Sequence, residues 1–557
     1  MYLRTYRGGP RVALEVLRRV RPAAGTAFFR AETGSGKFSR WLLTGILFSV
    51  LFIAAPAVVA LTTAFQPSFA VALCFILLAL VVFVPGKHAI WRYTLLVALV
   101  TTMSGQVGKY FGHSLLSTFV IEDILSLALA LLLALYAVGH KRPQVRLQMP
   151  LLAVALFGLT MAASTIALLI RTEPLAVYSI WFHLTQATYR KSLIHGLTGF
   201  TLAIGAFSLL TDWNRVRSFM RIMLAGALFF SLLAVAEYLL RDNYYLWYYR
   251  IFGINEETYV RVSRALYFRR AFGLFTSGPG LAAWLVLFTP LALYGVLFSQ
   301  NRTRFITSLC ILAALIAGIF VTGSRAPLGA MVVAFALLPW LTGRIKIALS
   351  ATIVLVLLVL AIIVKGPQLA ALLPENNLLE RIFNPREGRV AATLEKRKEV
   401  WADALQKFRE HPFLGIGPDQ FHTIKTTREI PDPRKLDSAH SGYLQTLAEL
   451  GYAGALTGLL LMFSTLYYGL TAIRRCPSGP RRGLAAALYC SCLAVFITGI
   501  TEPAFTLNRN YYVFCLMLGA MLKIPYLPEE DDKSSHAPLG LHPRVPKRSA
   551  WPSRRFG

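Results

Sequence analysis

Three arginines and one histidine stand out for the company they keep. Arg325 lies in Val321-Thr322-Gly323-Ser324-Arg325-Ala326-Pro327, between two apolar runs. Arg269 and Arg270 open Arg269-Arg270-Ala271-Phe272-Gly273-Leu274-Phe275, just ahead of a third apolar run. Guanidinium is planar, permanently charged and matched to phosphate oxygens in a two-point contact. His440 lies in Asp437-Ser438-Ala439-His440-Ser441-Gly442-Tyr443. Imidazole titrates near neutrality and can take a proton from a hydroxyl. Asp437 could orient it or raise its proton affinity. Arginines that hold a phosphate group and a histidine that accepts a proton are the parts of a group transfer. Plainer roles exist for each. Arg325 could snorkel and mark a tight helix–helix turn. Arg269 shares its loop with Arg250, Arg261 and Arg264. A loop histidine is most often solvated, and His411 and His422 are nearby examples.

These residues need elements to carry them, and composition says which. The 557 residues are 56% apolar and only 15% charged. Soluble domains carry about a quarter charged residues. Long apolar runs recur from Trp41 to about residue 523. The composition excludes a soluble globular enzyme, a disordered chain and a disulfide scaffold. It predicts an all-α polytopic membrane protein. Five of the six cysteines fall in apolar runs, and none has metal-ligand spacing.

Runs of about 20 apolar residues read as spans. Fourteen are expected: 41–63, 68–85, 92–107, 119–138, 148–170, 193–210, 219–240, 278–298, 305–322, 326–342, 347–364, 442–470, 484–500 and 510–523. The chain has 57 Lys+Arg against 27 Asp+Glu. With the N-terminus inside, the arm 1–40 holds nine positives, and the short cytoplasmic loops hold 16 against the single acid Asp212. That is the positive-inside pattern. The excess is therefore orientation charge and gives no support to nucleic-acid binding. The resulting plan is a basic cytoplasmic arm at 1–40, spans one to eleven within 41–364, and a periplasmic loop at 365–441. Three more spans follow within 442–523, and the Pro- and Ser-rich stretch 524–557 reads as a disordered cytoplasmic tail.

The large loop carries 13 Lys/Arg and 11 Asp/Glu. An amphipathic helix is expected at about 394–410, with Trp401, Ala404, Leu405 and Phe408 on its apolar face. The earlier outer loop is aromatic, with Tyr244, Tyr245, Trp247, Tyr248 and Tyr249. These could form an interfacial belt or stack on sugars. Glu122, Asp123, Glu237, Glu449 and Glu502 lie near span ends. A transporter would be expected to place acids near the midplane, so this distribution weakens the transporter reading without removing it. Arg270, Arg325 and the large loop converge on one face, where two arginines could hold a lipid diphosphate.

Four ordered blocks resemble the O-antigen ligase and O-antigen polymerase-like membrane glycosyltransferases. They are Arg270-Ala271-Phe272-Gly273-Leu274-Phe275 with Gly278-Pro279-Gly280, then Thr322-Gly323-Ser324-Arg325. Next come Trp401, Ala404 and Leu405 with His411-Pro412-Phe413-Leu414-Gly415-Ile416-Gly417. Last are Asp437-Ser438-Ala439-His440 with Tyr443 through Gly451. The family often has Asn where Ser441 stands, and Asn-Pro-Asn where Gly278-Pro279-Gly280 stands. The resemblance implies about 12–14 membrane helices in a GT-C-like bundle of a bacterial inner-membrane protein. It implies a glycan donor on undecaprenyl diphosphate, a lipid A–core or glycan acceptor, and an inverting transfer without metal or other cofactor. Arg270, Arg325 and His440 would be catalytic. Arg269, Asp437, Tyr443 and Glu449 would contact substrate, though Tyr443 also suits packing and Glu449 a structural hydrogen bond. A repeat-unit polymerase and a lipid-linked-sugar flippase are the alternatives.

Overall fold

The computed structural model describes residues 148–172, 187–252, 262–263, 265–266, 270–275, 277–344, 346, 350, 389–421, 438–503 and 508–528. All fall in the second of two compact units, Ile90–Gly557. The arm 1–40, the expected spans 41–63, 68–85, 92–107 and 119–138, and all of 347–364 but Ser350 lie outside the described residues. So does the tail beyond residue 528.

The described residues are helical, with no strand among them. In chain order they form α1 Met149–Thr172, α2 Ala187–Leu209, α3 Trp213–Phe252, α4 Gly278–Leu285, α5 Thr289–Leu297 and α6 Arg302–Val321. Then come α7 Arg325–Leu341, α8 Arg389–Glu410, α9 Gly442–Arg475, α10 Pro480–Thr498 and α11 Asn508–Lys523. Nine of the expected spans coincide with these helices, with α4 and α5 together making one. Six spans are long and apolar enough to cross a bilayer, and α2 and α7 add shorter apolar helices. The chain is an all-α polytopic membrane protein.

Burial sorts the helices. The α4–α5 span is largely enclosed, with Trp284 and Phe288 fully buried and in ring contact. Pro290 opens α5 and lacks an N–H, which accounts for the 3-10 turn Val286–Phe288 between the two helices. In contrast, α6 faces outward along most of its length, as a lipid-facing helix would. Around this centre α2 packs on α1 and α11, α9 on α1, α7 on α10, and α3 on α6. Gly158 of α1 and Gly196 of α2 meet backbone to backbone, the small-residue contact that substitutes for hydrophobic driving force in lipid.

Two ends of the bundle differ in charge. Arg344 donates to Leu297 O, Arg482 to Leu341 O and Arg215 to Leu209 O. Each arginine caps the carbonyls at a helix C-terminus, where cations also meet the favourable end of the helix dipole. Arg325 opens α7 at the end far from Arg344, and Glu502 follows α10 at the end far from Arg482. The charge that orients the chain and the candidate chemistry therefore occupy opposite ends.

Candidate functional site

The first block is a loop held from beneath. Glu237, on α3, is 1% exposed. Its Oε2 accepts the Phe272 N–H at 2.8 Å and the Gly273 N–H as well, and its Oε1 accepts the Tyr245 hydroxyl at 3.2 Å. Tyr244 donates to Gly273 O at 3.2 Å. Ala271 N–H donates to Val321 O at 3.0 Å, which ties the loop to the end of α6. Arg270, half-buried, is thus set beside the turn that leads into Arg325. Gly278 opens α4 with Ser277 as its cap, accepting the Gly280 N–H at 3.2 Å. A Cβ on Gly278 would lie 3.0 Å from Thr322 O and 3.1 Å from Ala271 O. This close approach is why glycine, and not asparagine, stands there.

The expected loop from residue 241 does not begin at that point. Arg241 breaks the helix at φ 26°, ψ −89°, and α3 then resumes to Phe252. Burial is the cause: Tyr244 and Tyr245 pack with Val262, Ala265 and Phe272. These two tyrosines are neither belt nor platform; they clamp the arginine loop.

His440 sits in a loop laced on two sides. Trp401 Nε1, on α8, donates to Ala439 O at 2.9 Å. Gly442 N–H donates to Gly499 O at 2.8 Å and Glu502 O at 3.1 Å, at the end of α10. Between these anchors His440 takes a left-handed backbone, φ 46°. For a residue with a Cβ this conformation is strained, and such strain clusters at functional sites. Ser441 caps α9 by accepting the Leu444 N–H. Asparagine and serine are both good N-caps, which explains the departure from the family pattern at this position. Tyr443 donates to Phe496 O at 2.8 Å and so fastens α9 to α10.

α8 begins at Arg389, earlier than expected, and its buried face differs from the expected one. Val400 and Ala404 pack with Phe421, Ala439 and Ala448, while Leu405 is exposed. Lys407 is buried instead. Its ammonium reaches Asp403 Oδ2 at 3.2 Å and lies 4.2 Å from the centre of the Phe421 ring. Those two neighbours let the helix bury a lysine where a leucine was expected.

Glu449 belongs to a different device. α9 kinks at Gly451, at φ 63°, ψ −156°, a conformation open only to glycine. The kink frees four backbone groups, and the His411–Gly417 turn takes them up. Ile416 N–H donates to Ala448 O and Gly417 N–H to Glu449 O, both at 3.0 Å. Tyr452 N–H donates to Pro412 O at 2.7 Å and Ala453 N–H to Phe413 O at 3.1 Å. The Glu449 carboxylate is buried, accepts from Gln445 at 2.9 Å, and meets the backbone of Asp419 and Phe421. Arg171 of α1 donates to Gly415 O at 2.8 Å. The geometry around Glu449 is that of a structural anchor.

Sequence reasoning gave no role to Glu502 or Arg397. Glu502 Oε2 lies 3.9 Å from His440 Nδ1, with the carboxylate side chain 10% exposed. Burial pushes its carboxyl up to about 7, opposed by the positive charges of Arg397 and Arg270. Arg270, Arg397, His440 and Glu502 therefore form one electrostatic cluster. Arg325 is exposed at the start of α7, joined to the cluster through Val321 and Ala271. Arg269 and Asp437 lie outside the described residues.

The order of blocks now has a three-dimensional counterpart: loop, α7 start, α8 with its turn, and the His440 loop meet at one end of the bundle. Residues 309–459 match the O-antigen ligase family. The matched stretch runs from α6 through Arg325, α8 and His440 to beyond the kink in α9. It supports O-antigen ligase or polymerase-type function in general terms. No curated protein matches the chain.

Proposed function

We infer that the chain is a glycosyltransferase that moves a glycan from undecaprenyl diphosphate to an acceptor hydroxyl at the periplasmic face. The observation that carries this reading is His440, held in a strained loop 3.9 Å from Glu502, a carboxyl on which Arg270 also acts, at the end of the bundle opposite the capping arginines. The acceptor oxygen attacks the anomeric carbon from the side opposite the diphosphate, so the centre inverts. The C–O bond to the diphosphate breaks, and its electron pair stays on the leaving oxygen. Arg270 and Arg325 stabilise the charge that grows there, and fixed guanidiniums in a partly dry site act strongly on it. His440 accepts the hydroxyl proton. Nδ1 faces Glu502, so Nε2 is the nitrogen assigned to the acceptor.

Purified protein, a polyprenyl-diphosphate glycan and a candidate acceptor test this. The expected products are glycosylated acceptor and free polyprenyl diphosphate in equal amounts. Movement of intact donor across a vesicle without release of diphosphate would favour a flippase. Lipid A–core as the productive acceptor would identify a ligase. A second lipid-linked glycan in that role would identify a polymerase.

A further inference from the structure

Two charged residues near His440 have no part in the transfer just described: Glu502, 3.9 Å from its Nδ1, and Arg397, whose charge acts on Glu502. Arg397 precedes Trp401 by four residues on α8, so the two share a helix face. Trp401 is bonded to the peptide just before His440. Glu502 stands three residues past Gly499, and the backbone of both is bonded to Gly442. Each element that laces the histidine loop therefore delivers one charge to it. Among the described residues, three charged or titratable groups bear on Glu502: Arg397 from α8, Arg270 from the loop ahead of α4, and His440 from the loop ahead of α9. The turn that follows α10, Thr498 to Thr501, brings no charge of its own. Two guanidiniums around one carboxylate leave a net positive centre, which suits an anion.

We propose that Arg397 is a further guanidinium ligand of the donor diphosphate, and that Glu502 is a positioning residue for His440 whose influence strengthens when the diphosphate binds. This rests on the glycosyl-transfer reading. In the free protein both arginines draw on the Glu502 carboxylate and hold down the proton affinity of the His440–Glu502 pair. Above about pH 7, where Glu502 is ionised, a bound diphosphate neutralises Arg270 and Arg397, and the carboxylate then acts on the imidazole alone. The acceptor's proton passes to His440, and Glu502 stabilises the imidazolium. The electron pair of the broken C–O bond stays with the diphosphate, between the arginines. A base that strengthens only beside its donor limits proton abstraction when no donor is present.

The test is the pH dependence of kcat/KM for a polyprenyl-diphosphate glycan, whose acidic limb reports the free His440–Glu502 pair as a unit. Wild type, Arg397→Gln, Glu502→Gln, the double variant, Arg397→Lys and His440→Ala are compared. Arg397→Gln removes a positive charge, so the limb should move to higher pH by about half a unit or more. Donor KM should rise about ten-fold while kcat changes less. Glu502→Gln should lower kcat about ten-fold with donor KM near wild type. In the Glu502→Gln background the Arg397-dependent shift should vanish. Arg397→Lys should restore the limb and only part of the KM, an outcome that a merely structural role would not give. An unmoved limb in Arg397→Gln, or an equal shift in both backgrounds, overturns the proposal while leaving the transfer reading intact. Transfer that survives His440→Ala, or no transfer by wild type, removes the reading and the proposal with it.

Discussion

Glu237 offers a sharp way to separate scaffold from chemistry. It touches no candidate substrate group, yet it accepts the N–H groups of Phe272 and Gly273, two and three residues past Arg270. Glu237→Ala strands both donors and the Tyr245 hydroxyl in a buried site. Each unsatisfied buried donor costs about 1–3 kcal/mol. The two backbone groups alone sum to roughly 2–6 kcal/mol, enough to force the loop to rearrange. Arg270 moves with it. A guanidinium–phosphate bond is worth about 1.5–3 kcal/mol, or roughly 10- to 150-fold in rate. Glu237→Ala should therefore lower kcat/KM for the lipid-diphosphate donor about as far as Arg270→Ala does, and combining the two should add little. Glu237→Gln keeps an acceptor for the two N–H groups and should retain most activity. Steady-state transfer by the three single variants and the double variant measures this. Wild-type kcat/KM in Glu237→Ala, at preserved helicity, would refute the claim that this carboxylate positions Arg270.

Further expectations follow from the same geometry. Gly451→Ala should lower thermal stability by about 2–5 kcal/mol, because its Cβ would meet Pro412 O at 2.5 Å in a glycine-only conformation; an unchanged Tm in detergent would contradict the kink. Glu502 is protonated up to about pH 7 in the folded chain but only up to about 4.5 when unfolded. The folded state thus holds the extra proton in that window, and stability should fall as pH rises across it. Glu502→Gln should flatten that slope, read as the difference in Tm between the two proteins from pH 4.5 to 7.5. Tyr443→Phe loses one hydrogen bond to Phe496 O and should cost about 1 kcal/mol of stability with little change in kcat; a large kcat loss at normal stability would move Tyr443 into the acceptor path.

What was legible in the sequence is what period and hydropathy encode. Apart from 347–364, all but Ser350 of it outside the described residues, and α3, which runs on to Phe252, the expected spans from α1 onward lie within about six residues of their helices, and the expected convergence of Arg270, the Arg325 turn and the large loop rested on alternating topology. What was not legible depends on tertiary contact. Glu502 sits in a short turn with no motif around it, and only the backbone bonds from Gly442 bring it to His440. Arg397 is one of several cations on α8, and only the Trp401 bond selects its face. Leu405 and Lys407 exchanged places because a cation over Phe421 can be buried, which periodicity alone does not register. The aromatic stretch after Arg241 read as a loop because it follows a charged pair, Arg241-Asp242; packing of Tyr244 and Tyr245 carried the helix onward.

The most direct measurement is transfer turnover by purified His440→Ala and Arg325→Ala, each shown to keep the helicity and Tm of the parent. The account predicts that release of polyprenyl diphosphate falls at least about 100-fold in both. Turnover equal to wild type in both variants would contradict it.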